Sequence, residues 1–255
     1  MVHFFGISKN DHNFKNSTTF KQAIDTYVFD RKLRLLIFDE LERIEIALRT
    51  QIIYHFCHEH GSNWYEDKHL YRQPDYCFKF IVLMITEMDR TSEVFIRHYK
   101  SKYSNPVNPP AWMLLELASL GQLSTLYKNL RNGMAKKNIA DHFNIHENVL
   151  ISWLETLSYV RNTCAHHSRL WNRKLPKPPV LPLITKNTWL ANLPLPDKRN
   201  RIYVVLSLMQ YLLSSIVPET KFKNKLISIM EEYPTIPIDY MGFTDNWKEE
   251  SLWEM

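Results

Sequence analysis

The sequence predicts an all-α protein. Three observations carry that expectation: apolar residues recur at three- and four-residue spacings over long segments, no segment alternates as a strand does, and glycine is scarce. The 255 residues include only 5 glycines, against an average usage of about 7%. A turn-rich all-β protein needs glycine at its corners. A loop that cradles phosphate with backbone N–H groups needs it too, because a Cβ would block the approach. Gly6, Gly61, Gly121, Gly133 and Gly242 lie too far apart for a dinucleotide fingerprint or a P-loop, which excludes most nucleotide-fold enzymes.

Each element has its own justification. From Arg31 to His60, Leu33, Ile37, Leu41, Ile44, Leu48 and Ile52 mark one helix face. Asp39 with Arg43, and Glu45 with Arg49, stand in the favourable i,i+4 order, and Gly61 is a natural stop. A second helical region, in one piece or two, runs from about Asp75 to Tyr103, and Asn105-Pro106-Val107-Asn108-Pro109-Pro110 breaks the chain after it. Helices follow at roughly Ala111–Arg131, Ala135–Phe143 and Glu147–Leu170. The proline-rich stretch from Pro176 to Pro196 reads as a long ordered loop. Helices at about Asn200–Val217 and Glu219–Glu232 lead to an aromatic tail with Trp247 and Trp253. Neither proline-rich break has the composition of a flexible linker, so one domain spanning 1–255 is expected.

Composition excludes further classes. With 45% hydrophobic and 23% charged residues the chain reads as globular rather than disordered. Cys57, Cys77 and Cys164 are odd in number and lack C-x-x-C spacing, so a reducing cytoplasm is expected and a disulfide framework is not. The N-terminal Met-Val-His-Phe-Phe-Gly lacks a targeting pattern. The longest apolar stretch, Ile202 to Val217, is shorter than the ~20 residues a bilayer requires, so no membrane partner is expected.

The net charge of +5 is uneven. From Thr156 to Pro196 there is no Asp or Glu, while Arg161, Arg169, Arg173, Lys174, Lys177 and Lys186 all fall there. Such a stretch either contacts phosphates or is balanced by acids from elsewhere in the fold.

The helix at about 147–170 is unusual when wound at ~100° per residue. Leu150, Leu154, Leu157 and Cys164 form an apolar stripe, with Arg161 in its middle. A cation on a buried face is costly unless something receives it. Glu155, Tyr159, Asn162 and His166 align on the far side, where Asn162 and His166 can hydrogen-bond. Winding alone leaves several readings open. Arg161 snorkels past the core edge, pairs with a buried acid, or meets a ligand. His166 is a satisfied polar-face histidine or a functional one.

The run Arg161-Asn162-Thr163-Cys164-Ala165-His166-His167-Ser168-Arg169-Leu170-Trp171-Asn172-Arg173 closely resembles the signature of the Abi family of abortive-infection phage-resistance proteins, within the HEPN superfamily and its R-x4-6-H motif. The resemblance extends to Arg31–Glu66, with Arg49-Thr50-Gln51 and Trp64-Tyr65, to Trp112 through Tyr127, and to Met241-Gly242-Phe243 with Asn246-Trp247. It implies a HEPN-like helical bundle with the proline-rich loop after the motif helix. It also implies a homodimer in which the motif helices meet.

The implied activity is a metal-independent, cofactor-free endoribonuclease acting in phage defence. Arg161, Asn162 and His166 are its implied catalytic residues, and 2′,3′-cyclic phosphate and 5′-hydroxyl ends its products. RNA is the implied substrate, and a structured small RNA that inhibits or guides is an implied partner. His167, Arg169, Arg173 and Lys174 are further candidates for RNA contact, with Trp171 for base stacking. His167, about 100° round from His166, is expected to point elsewhere and to serve structure first. A non-catalytic RNA holder and a purely structural dimerisation domain are the competing readings.

Other constellations are weaker. His55, Cys57, His58 and His60 are dense in metal-ligand types but lack a second ligand pair, so no metal is expected. Asn144 is expected to break the helix between His142 and His146. Cys164, on the apolar stripe, is expected to be packed rather than nucleophilic.

Overall fold

The computed structural model describes residues 19–254, so Gly6 and the N-terminal Met-Val-His-Phe-Phe-Gly lie outside the described residues. Among the described residues the fold is all-α: nine helices, short 3-10 turns and no strand. The helices are α1 (Phe20–His60), α2 (Pro74–Arg90), α3 (Val94–Lys102), α4 (Ala111–Leu114), α5 (Leu120–Asn129), α6 (Met134–His142), α7 (Glu147–Ala165), α8 (Ile202–Ile216) and α9 (Phe222–Glu232).

α1 is the central axis. Its 41 residues extend about 60 Å at 1.5 Å per residue, and α6, α7, α8 and α9 all pack along it. Leu33, Ile37, Leu41, Ile44, Leu48 and Ile52 are all buried, as their spacing predicts. The helix begins at Phe20 rather than Arg31. Thr19 and Gln22 form a capping box there, while Phe20, Ile24 and Tyr27 face outward and the buried positions Thr26, Phe29 and Asp30 include only one apolar residue, Phe29. The Glu45–Arg49 pair forms at 2.8 Å. Arg43 instead meets Glu40 at 3.3 Å, while Asp39 meets Lys225 of α9 at 3.4 Å, so tertiary packing overrides that local pair.

The expected helix over Ala111–Arg131 is two, α4 and α5, with a 3-10 turn at Leu115–Leu117 between them. Arg49 explains the break: Nε donates to Leu115 O at 2.9 Å and Nη2 to Ala118 O at 3.0 Å, so a side chain satisfies carbonyls that a continuous helix would use. Ser119 and Gln122 then form the capping box that restarts the chain as α5. Asn144 has φ 57° and ends α6, as expected.

The proline-rich segment is ordered by the core. Trp153 Nε1 donates to Val180 O at 2.8 Å, and Trp189 stacks on Trp153 at 5.2 Å. Glu250 accepts the backbone N–H groups of Ala191 and Asn192 at 2.6 and 2.9 Å. Tyr203, Phe243, Trp247 and Trp253 of α8 and the tail form one buried aromatic group. No helix among the described residues is long and apolar enough to cross a membrane.

Candidate functional site

α7 presents the motif at its C-terminal end. Leu150, Leu154, Leu157 and Cys164 are buried as the winding predicts, and burial pushes the Cys164 thiol up to about 12. A thiol held neutral this way is packing, not a nucleophile. Arg161 follows the snorkelling course among the readings its place on the stripe left open. It is half-buried, and its guanidinium reaches out of the stripe to lie over the Phe38 ring of α1, 5.8 Å from the centroid. Its Nη1 donates to Asn162 Oδ1 at 3.4 Å. No acid receives it among the described residues.

The motif helix ends earlier than expected, at Ala165 rather than Leu170. The hydrogen bonds give the reason. His167 N–H donates to Cys164 O and Ser168 N–H to Thr163 O, both at 3.0 Å, the paired bonds of a Schellman turn. His167 takes the left-handed position with φ 53°, where glycine is usual. His166 is therefore the cap residue, exposed at the tip of the helix. Its backbone N–H donates to Asn162 O at 3.0 Å. The expected side-chain bond between Asn162 and His166 is not formed, and no side chain among the described residues hydrogen-bonds the His166 imidazole.

Beyond the turn the chain is anchored by a residue the sequence reading did not single out. Asp30 of α1 is buried; its Oδ1 accepts the backbone N–H groups of Leu170 at 2.9 Å and Trp171 at 2.7 Å. Its Oδ2 faces Arg34 Nε at 3.3 Å. Trp171 is consequently 2% exposed and edge-on to Tyr240, which corrects its candidacy for base stacking: no base can reach it without opening the core. The signal for Asp30 and Arg34 was an i,i+4 acid–base pair in line with the apolar face of α1, with Asp30 one residue before the start of the predicted helix.

The basic stretch divides in two. Lys177 and Lys186 are balanced by Glu155 at 3.8 Å and Asp141 at 2.8 Å. Arg161, Arg169, Arg173 and Lys174 have no carboxylate partner among the described residues. Arg173 is held in place, with Nε on Arg169 O at 2.7 Å and Nη1 on Tyr159 OH at 3.1 Å, while Arg169 and Lys174 stand in solvent.

A cleft of about 600 Å³ opens beside the turn, lined by Tyr27, Arg31, Arg34, Leu35, Phe38, Cys164, Ala165 and His167. His167 faces this cleft, so the turn at the helix end, and not a 100° step along a helix, decides its direction. A family model described as Abi-like protein matches residues 2–172.

The chain belongs to the Abi-like protein family.

No curated protein and no solved structure gives a match. In this Abi-like protein the matched region ends at the motif turn, and the rest of the chain buttresses that turn. Arg201 Nη1 donates to Asn172 O at 2.7 Å. Gly242 packs against Arg201 with φ 90°; a Cβ there would stand 2.7 Å from Arg201 Cβ and 3.1 Å from Lys198 O. The His55 to His60 cluster lies far from the motif, at the other end of α1. Burial and the neighbouring His142 and His58 lower the His55 pKa, and no group of three or more His, Cys, Asp or Glu converges among the described residues.

Proposed function

We propose that this Abi-like protein is a metal-independent endoribonuclease of abortive-infection phage defence, of the HEPN type, working as a homodimer. The observation that carries the reading is the set of arginines and a lysine without carboxylate partners around an exposed imidazole at one helix tip. Unpaired cations recruit a polyanion, and an imidazole can both accept and donate a proton.

The chemistry follows from residue types. An imidazole takes the proton of a ribose 2′-OH, and O2′ attacks the adjacent phosphorus. The P–O5′ bond breaks, and a protonated imidazole returns a proton to the leaving O5′. Arg161, whose guanidinium lies over the Phe38 ring and makes one long bond to Asn162, stabilises the charge that builds on the phosphorane. The ends are a 2′,3′-cyclic phosphate and a 5′-hydroxyl. Two proton transfers call for two imidazoles, and His166 from a second copy supplies the other. Arg169, Arg173 and Lys174 hold the flanking backbone.

One observation favours a second reading, in which the same surface holds a structured RNA without cutting it: nothing among the described residues orients the His166 imidazole. One experiment separates the two. Total RNA is incubated with the protein in EDTA and the cut ends are mapped for wild type, His166→Ala and Arg161→Ala. Cyclic-phosphate ends made only by the wild type support the nuclease. RNA bound by all three proteins and cut by none supports the holder.

A further inference from the structure

The cleft beside the motif contains a buried arginine that the fold does not finish using. Arg34 is 7% exposed. Its Nε is committed to Asp30, contacting the backbone O and Oδ2, both at 3.3 Å. Its two Nη nitrogens have no acceptor among the described residues, and the side chain lines the cleft. A buried guanidinium held at one end and open at the other is a preorganised fork for an oxyanion, because the immobilisation has already been met by folding.

The rest of the cleft defines the ligand. Tyr27, Arg31, Arg34 and Phe38 follow at spacings of four, three and four, which puts them on one face of α1. Arg31 is exposed and has no carboxylate partner among the described residues. Tyr27 and Phe38 present exposed ring surface, 66% and 42% respectively. Aromatic faces interleaved with cations are the combination that takes up a nucleotide, base on ring and phosphate on guanidinium. A cleft of about 600 Å³ is in the range that holds one small unit rather than a duplex. Phe38 joins the cleft to the motif, since its ring lies under Arg161.

We propose that this cleft is a subsite for one nucleotide of single-stranded RNA next to the scissile phosphate, with the phosphate on Arg34 and Arg31 and the base against Tyr27. His167 closes the motif side of the subsite. This rests on the ribonuclease reading and adds to it a binding element on α1, outside the motif.

The test uses the full-length protein and a short, labelled single-stranded RNA with 2′-O-methyl riboses, which binds but cannot be cut. Affinity is read by fluorescence anisotropy over a range of salt, with a free nucleoside monophosphate as competitor, and oligomeric state by sedimentation. Arg31→Ala and Tyr27→Ala change exposed side chains and leave the buried Asp30–Arg34 pair in place. Tyr27→Ala is expected to weaken binding about tenfold, the loss of one base stack. Arg31→Ala is expected to lower the salt slope by about 0.7, the loss of one phosphate contact. Arg34→Lys, which keeps the charge and loses the fork, is expected to weaken binding at temperatures well below its own unfolding midpoint.

Binding of RNA by both surface variants within about twofold of wild type overturns the subsite. A switch in oligomeric state at unchanged RNA affinity also overturns it, and makes the face a protein contact. Displacement of the RNA by free monophosphate at low concentration overturns the RNA assignment in favour of a nucleotide ligand. If wild type cuts RNA and these variants bind it as tightly as wild type does, only the subsite fails; if wild type binds no RNA at low salt, the ribonuclease reading fails with it.

Discussion

Asp30 Oδ1 takes two backbone N–H groups, from Leu170 and Trp171, and Oδ2 faces Arg34. Removing the carboxylate strands two buried donors and a buried guanidinium. Asp30→Ala should therefore lower the unfolding free energy by about 3–5 kcal/mol in urea titration. Asp30→Asn keeps an acceptor for the turn and should cost less, about 1–3 kcal/mol. Equal midpoints for wild type and the alanine variant would show that the clamp contributes nothing. His167 raises the opposite expectation. Its φ of 53° strains a side-chain-bearing residue, at a cost of about 1–2 kcal/mol that glycine avoids. Glycine also loosens the unfolded chain by about 0.4–1 kcal/mol. The net should be a gain of about 0–1.6 kcal/mol for His167→Gly. A higher melting temperature with weaker RNA binding would mark the histidine as kept for function at the expense of stability.

At the scale of elements, α5 and α6 are joined through a buried lysine. Lys136 is 0% exposed, and its Nζ donates to Leu130 O at 2.7 Å and Lys128 O at 3.4 Å, carbonyls at the end of α5. Burial, with Arg72 nearby, lowers its pKa from 10.5 to about 8, and Glu147 opposes the shift. Between those two values the unfolded chain binds more protons than the folded one, so stability should rise with pH across that window. Below pH 8 the full burial cost is present. Chemical unfolding at pH 8 and pH 10.5 should differ by on the order of 1–3 kcal/mol after other groups are accounted for. Lys136→Met should flatten this dependence; an unchanged slope would place the titration elsewhere. Periodicity revealed α1 and α7 because each buries a stripe. It missed the first turns of α1, where Phe20, Ile24 and Tyr27 face outward, and it ran α7 through its Schellman turn, because a histidine stands where glycine would have signalled the stop.

At the scale of the whole molecule, the segment after the family match supports the site from behind. Gly242 lets the tail approach Arg201, which holds Asn172 O. Gly242→Ala meets both a left-handed φ and a 2.7 Å contact, and should destabilise the protein by about 2–4 kcal/mol in thermal unfolding. A variant that melts with wild type would show that the tail adapts freely. The helical class, the buried face of α1, the ordered proline-rich loop and the Abi-like motif were all legible in the sequence, because each depends on neighbours three or four residues apart or on a contiguous run. The outward reach of Arg161 to Phe38, the burial of Trp171 and the clamp of Asp30 were not, because their partners lie far along the chain. By itself, then, the sequence determined an all-α chain of the Abi-like family with Arg161 and His166 near one helix end. Only the tertiary structure decided that this end meets the exposed start of α1, since long-range packing, not local periodicity, chooses which helix face closes on which turn.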